Sequence, residues 1–283
     1  MAELIKESIE AAGRTWFYRQ ITPDQPNDRP PVVLLHGLVS MSYGWREVMP
    51  TLAASGFRCI APDWIGCGFS EKPDYNFAYS PAAFGQGLGE FLDALGLETV
   101  VLVGQGYLGG SVAAAYAIAH PDQVRRLALL NAPVFPDATL PWKIQRLGLP
   151  LVGDMACQDP LTVDRTLEGG GGYVVEDADL DIYRKPFLKS SAAGRMLKKI
   201  VAQLQVPKQA ATLAQGLKTW DQPLLLLWGD RDPWLPVEAA EDFAKTLKGA
   251  DFVRLEEVGH YPQEDWHEKV SEALIPFLRR ADL

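Results

Sequence analysis

Only three cysteines, Cys59, Cys67 and Cys157, occur in 283 residues. Their odd number and wide spacing exclude a disulfide scaffold and a zinc ligand set, so they read as small buried apolar residues of a reducing compartment. No stretch approaches the roughly 18 uncharged apolar residues of a transmembrane helix, and no membrane span is expected. Basic residues are in deficit, 27 against 36 acidic, for a net charge of −9. Such a field repels nucleic acid, and no nucleic-acid partner is expected. The opening MAELIKESIE sets Glu3, Lys6, Glu7 and Glu10 where a secretory leader needs an unbroken apolar segment, so a cytoplasmic or otherwise intracellular location is expected. Metal and cofactor motifs are missing too, and neither group is expected. The glycine run at 169–172 has no following Lys-Ser/Thr and no adjoining strand, which makes it a tight or flexible turn rather than a phosphate loop.

What is present is ordinary globular composition, 47% hydrophobic and 22% charged. Short runs rich in Val, Leu and Ile recur at 32–36, 57–61, 100–103, 127–131 and 224–228, each reading as a strand buried on both faces. Helical patterns at 44–54, 81–95, 110–119 and 237–247 separate them, and a last strand at 252–255 and a helix at 264–278 close the series. This alternation predicts an α/β fold with a mostly parallel sheet flanked by helices. Between 134 and 222 the rhythm stops: helical segments and turns appear without a buried strand. The expected organisation is a core of 1–133 and 223–283 with an inserted helical cap of 134–222.

In an open parallel sheet, ligands bind beyond the carboxyl ends of the strands, which directs attention to the residues after each run. His36-Gly37-Leu38 follows the first, and there the Leu38 N–H could face a cleft while His36 reads as a structural hydrogen-bonding residue. The second is followed by APDWIGCGFSEKP, residues 61–73, with Asp63, Gly66, Gly68 and Ser70 at turn positions. In their order and spacing these features resemble the α/β-hydrolase family, and within it the branch of haloalkane dehalogenases and epoxide hydrolases. The resemblance spans about 31–135 and 222–278 and is weaker across the cap.

That resemblance implies the remaining roles. The family places a Ser, Asp or Cys nucleophile on a sharp strand-to-helix elbow, next to an oxyanion hole of backbone N–H groups. Here the elbow reads Val103-Gly104-Gln105-Gly106-Tyr107-Leu108-Gly109-Gly110. Counting from the strand puts Gly106 at the nucleophile position; counting back from Gly109-Gly110 and His120-Pro121 puts Tyr107 there, so the elbow carries one extra residue. Neither is the usual nucleophile, and a phenol with an ordinary pKa near 10 attacks poorly without a base in reach. Gln105 offers only an amide, and Ser111 reads as a helix–sheet packing residue. In WGDRDPW, Asp232 takes the place of the triad acid, with Asp230 as a turn residue, and in VGHYP His260 matches the base, 28 residues later. Of the other histidines, His120 caps a helix and His267 lies on a charged face.

The expected site therefore comprises His260, Asp232 and Tyr107 as catalytic residues, with Leu38, Gln105, Gly106, Leu108, Trp45 and Trp234 forming the oxyanion hole and pocket. Trp142, Leu147, Leu149, Tyr173, Tyr183 and Phe187 of the cap would complete an apolar lining. The expected function is a hydrolase acting on an apolar small molecule through a His260/Asp232 base and a non-standard or absent nucleophile. A catalytically silent receptor or carrier, and a cofactor-free lyase or oxygenase, are the alternatives. Haloalkane dehalogenation proper is not expected, because its covalent step needs the missing aspartate.

Overall fold

The computed structural model describes residues 3–25 and 27–280. The chain begins with a hairpin, β1 (Ile5–Ala11) and β2 (Arg14–Ile21), that the reading for doubly buried runs passes over. β1 is an edge strand carrying Lys6, Glu7 and Glu10 mostly toward solvent, so its polar alternation resembles a charged tail, and its charges also protect the edge. The two-residue turn, Ala12 and Gly13, has positive φ at both positions (46° and 74°), as a type I′ hairpin requires. Ala-Gly is not a usual I′ pair, and this hides the turn from sequence reading.

The predicted strands follow as β3 (Val32–Leu35), β4 (Cys59–Pro62), β5 (Val100–Gln105), β6 (Val124–Leu130), β7 (Leu224–Gly229) and β8 (Ala250–Leu255). They form one eight-stranded sheet in the order β1-β2-β4-β3-β5-β6-β7-β8. The β1/β2 and β2/β4 pairs are antiparallel and all the others parallel. Every residue of β3, β4, β5 and β7 is buried, because helices cover both faces. One apolar cluster lies on each side of the sheet.

The flanking helices are α1 (Val48–Ala54), α2 (Pro81–Ala94) and α3 (Ser111–Ala119), then, after β7, α10 (Val237–Ala244), α11 (Pro262–Asp265) and α12 (His267–Arg279). Two expected helices are divided. A short 3-10 turn, Ser42–Trp45, precedes α1, and Trp266 separates α11 from α12. α2 starts where Ser80 Oγ accepts the Ala83 N–H at 3.2 Å with Pro81 in the first turn. Between β6 and β7 lie six helices and, among the described residues, no strand: α4 (Trp142–Gln145), α5 (Val152–Ala156), α6 (Leu161–Gly170), α7 (Asp177–Lys189), α8 (Ser191–Gln203) and α9 (Val206–Leu217). Among the described residues no helix is long and apolar enough to cross a membrane.

β3 runs between β4 on one side and β5 on the other, so the winding direction reverses between β3 and β5. This is the switch point at which an open sheet leaves a crevice. Leu35 and Gln105 end the two strands there.

Holding Ala12 at φ 46° strains an L-residue that Asn tolerates better. Ala12→Asn is expected to raise unfolding stability by about 0.5–1 kcal/mol. Urea denaturation checks this as a higher midpoint at unchanged slope; an equal or lower midpoint would show that the turn is not strained.

Candidate active site

Asp232 is the best-connected side chain at the crevice. Its Oδ1 accepts the backbone N–H groups of Trp234 at 2.8 Å and Leu235 at 3.1 Å. Its Oδ2 accepts the Asn131 amide at 2.7 Å and His260 Nδ1–H at 2.8 Å. With donors on both oxygens, the carboxylate acts as an acceptor, and in the neutral imidazole the proton sits on Nδ1 and the lone pair on Nε2. Asn131, just beyond β6, also accepts the Gly229 N–H at 3.0 Å. Sequence reading treated it only as a strand end; its position after a strand and its positive φ, 43°, fit a residue turned into the crevice.

The main chain around His260 is held as firmly as its ring. Its N–H donates to the Gly170 carbonyl at 2.6 Å, and its carbonyl accepts Gln105 Nε2–H at 2.7 Å. Asp265 Oδ2 accepts the Gly259 N–H at 2.6 Å and the Gly172 N–H at 2.7 Å. The glycine run is therefore a close-packing device: a side chain at Gly170 would strike Trp234 and Tyr261, and one at Gly259 would strike the backbone of Gly170 to Gly172. The imidazole is 2% exposed and packed among three rings, with centroids at 5.3 Å for Tyr107, 4.6 Å for Trp234 and 5.1 Å for Tyr261.

Residues Gly106–Gly110 form one wide π-type turn between β5 and α3. Gly106 has φ 67°, and a Cβ built on it would stand 3.1 Å from His260 Nε2 and 3.5 Å from the Gly37 Cα. The position facing His260 Nε2 is thus Gly106, which has no side chain. Gly109 lets the turn press on β3, since a Cβ there would collide with the carbonyls of Leu35 and His36.

Tyr107 stacks on His260 with an interplanar angle of 29°, while its hydroxyl donates away from the base, to the Thr139 carbonyl at 2.9 Å. Burial holds the phenol well above its ordinary pKa, and the nearby Asp232 charge adds to this. Tyr107 therefore presents a ring to the site and no phenolate. Leu38, Gly106 and Leu108 are buried at the switch point, and the Leu38 carbonyl accepts the Tyr261 hydroxyl at 3.1 Å. Tyr107 and Leu108 open a helical turn, where the first N–H groups lack intrahelical partners.

Other expected members fall elsewhere. Trp45, expected in the pocket, belongs to the opposite apolar cluster with Val48, Met49 and Val270, because its short 3-10 turn carries it onto the α1/α12 face. Gln105 braces the His260 loop through its amide. The expected cap lining does not form one surface. Leu147 and Trp234 share one cleft, Tyr183 and Phe187 line a separate one with Gly66 and Cys67, Leu149 lines a third, and Trp142 is 65% exposed. Tyr183 instead donates its hydroxyl to Glu264, which also receives Arg46 at 2.7 Å; Arg46 pairs in turn with Asp179 of α7 at 2.5 Å. Burial raises the Glu264 carboxyl while Arg46 opposes the rise. Sequence reading missed this network, which has no local motif.

His36 is structural: Nε2 accepts the Trp64 N–H at 3.1 Å, Nδ1–H donates to the Gly37 carbonyl at 2.8 Å, and burial depresses its pKa. Asp63 accepts the N–H groups of Ser42 and Phe69, both at 2.7 Å, and Ser70 Oγ–H donates to the Asp63 carbonyl at 2.6 Å, which fixes the second loop.

Residues 30–170 match the α/β hydrolase fold family, and residues 189–283 match a family described as TAP-like protein. A haloalkane dehalogenase of Mesorhizobium japonicum is 31% identical over 268 residues, covering 88% of this chain and 84% of the relative. A cis-3-alkyl-4-alkyloxetan-2-one decarboxylase of Xanthomonas campestris pv. campestris is 29% identical over 283 residues, covering 91% of each. Among solved structures, the haloalkane dehalogenase DbeA from Bradyrhizobium elkani superposes with a TM-score of 0.86 at 28% identity, over 98% of both chains.

Burial raises Asp265 from its ordinary 3.8 to about 6, against the lowering effect of the Gly172 and Gly259 N–H groups. A carboxyl with a raised folded pKa contributes stability below its unfolded value, and that contribution is lost as pH rises through about 6. Asp265→Asn keeps an acceptor oxygen and removes the titration. The melting temperature of the parent relative to this variant is expected to fall between pH 4 and pH 7, read by calorimetry; a constant difference across that range would remove Asp265 as the titrating group.

Proposed function

Since the chain belongs to the α/β-hydrolase family, in its haloalkane dehalogenase-like branch, we propose that it is a hydrolase for an apolar small molecule whose base, His260, works without a side-chain nucleophile. The carrying observation is that His260 Nε2 lies 3.1 Å from where a Cβ on the bare Gly106 would stand, while its Nδ1 is held by Asp232. In this reading residues 134–222 act as the cap over a core made of 1–133 and 223–283.

The chemistry follows from the lone pair. His260 Nε2 takes a proton from a water as the water oxygen bonds to an electrophilic carbon of the substrate. The imidazolium is stabilised by Asp232, as in a triad, and then returns the proton to the leaving group. The N–H groups of Leu38 and of Tyr107 or Leu108 receive the developing oxyanion. General-base action of this kind supplies about 10²–10⁴ in rate, and each oxyanion donor about 10²–10³. An alkyl halide develops no oxyanion for these N–H groups to receive, so displacement of halide gains none of this assistance and is not expected. A cofactor-free lyase or oxygenase would use the same lone pair on a substrate proton.

One observation favours a second reading, a catalytically silent binder of an apolar ligand. Even a methyl group at Gly106 would lie 3.1 Å from Nε2, so the base has closed on the space that a nucleophile would occupy.

Hydrolysis of a panel of esters, lactones and epoxides separates the two readings. The enzyme reading expects turnover that falls by at least about 10² in His260→Ala and Asp232→Asn, and incorporation of 18O from labelled water in the first turnover. It also expects Tyr107→Phe to keep activity, since its hydroxyl serves Thr139. A covalent adduct on Tyr107, halide release from haloalkanes, or activity unaffected by loss of His260 would overturn it. Binding without any turnover would establish the silent form.

A further inference from the structure

A cleft of about 510 Å³ opens between α4 and α6, within the size range of small-molecule sites, roughly 300–1,000 Å³. Its apolar walls are Ile144, Leu147 and the Trp234 indole. Trp234 is also the ring packed on His260, with centroids 4.6 Å apart, so this wall separates the cleft from the base. The same side of the fold supplies the Gly170 carbonyl that holds the His260 N–H, one residue beyond Gly169 of the cleft lining.

The charge of the rim runs against that of the chain. Lys143, Arg146 and Arg165 border the cleft with a single acid, Glu168, on a protein of net charge −9. Arg165 pairs with Asp159 at 2.9 Å. Lys143 and Arg146 have no ion-pair partner among the described residues, and both are exposed. They stand three residues apart, at the end of α4 and the start of the next turn, a spacing that puts both cations on one face. Two unpaired cations beside an apolar wall match a molecule with an anionic head and an apolar body.

We propose that this cleft binds an amphipathic organic anion, with its head group on Lys143 and Arg146 and its chain along Ile144 and Leu147 toward Trp234. The inference goes beyond the functional reading: the cleft lies across the Trp234 wall from His260, and Lys143 and Arg146 are its binding residues for the head group.

Calorimetric titration of the full chain with decanoate, decanol and decylammonium, each below its micellar range, tests this. Decanoate is expected to bind most tightly, to weaken as salt is added, and to lose about tenfold or more in the Lys143→Glu/Arg146→Glu double variant. Decanol binding should change by less than about twofold in the same variant. A control pair on other helices and turns, Lys218→Glu with Lys248→Glu, makes the same change in net charge and should leave decanoate binding as it was. Equal binding of decanoate and decanol, an unaffected double variant, or an equal loss in the control pair would overturn the anion site. The two proposals fail separately. Turnover of neutral substrates that ignores the rim, with decanoate binding unselective, removes the anion site and keeps the base; rim-dependent decanoate binding in a chain without turnover does the reverse.

Discussion

The four hydrogen bonds that meet on the Asp232 carboxylate organise this molecule's crevice. They tie the turn after β7 to itself through Trp234 and Leu235, to the end of β6 through Asn131, and to the loop after β8 through His260. Three neighbouring strand ends are thereby fixed by one buried side chain. A buried carboxylate with fewer donors would be costly to keep, whereas here each oxygen meets two N–H groups. The orientation of His260 and the position of Trp234, which walls the cleft under α4 and α6, both descend from this arrangement.

On the other side of His260, the elbow sets a glycine where a side chain would meet the imidazole. Gly106 has a left-handed φ at the strand end, and the wide turn that follows leads into α3 on the sheet. The rings of Tyr107 and His260 stack, so aromatic contact covers one face of the imidazole. In the function proposed above, the chemistry belongs to the Nε2 lone pair alone.

Much of this was legible in the sequence where burial is complete. β3, β5 and β7 lie under helices on both faces, so every position but Gln105 at the end of β5 is apolar or glycine and the runs stand out. The β1/β2 hairpin was not legible, because a half-exposed edge strand with Lys6, Glu7 and Glu10 carries no apolar run and Ala12 disguises its turn. Asp232 and His260 were found from their places after strands, yet Asn131, which completes their network, looked like the last residue of a strand. The two counts of the elbow, from the strand and from the helix, differ by one residue, and between their reference points lies a wide turn, 106–110, that no residue pattern announces. Trp45 was misplaced since one short 3-10 turn decides which face of the sheet its indole joins. The glycine run at 169–172 looked like a turn, and its close approach to the His260 loop depends on contacts distant in sequence.

The bond from the His260 N–H to the Gly170 carbonyl has a further consequence. Gly170 ends α6, among the helices inserted between β6 and β7, while His260 belongs to the loop after β8. His260 thus takes its backbone position partly from the segment inserted between β6 and β7. Any displacement of α6 breaks this bond, together with the link from Gly172 through Asp265 to Gly259. The imidazole is consequently sensitive to substitutions far from it in sequence: a side chain added at Gly170 or Gly172 would push on the loop that carries His260, although neither glycine touches the ring.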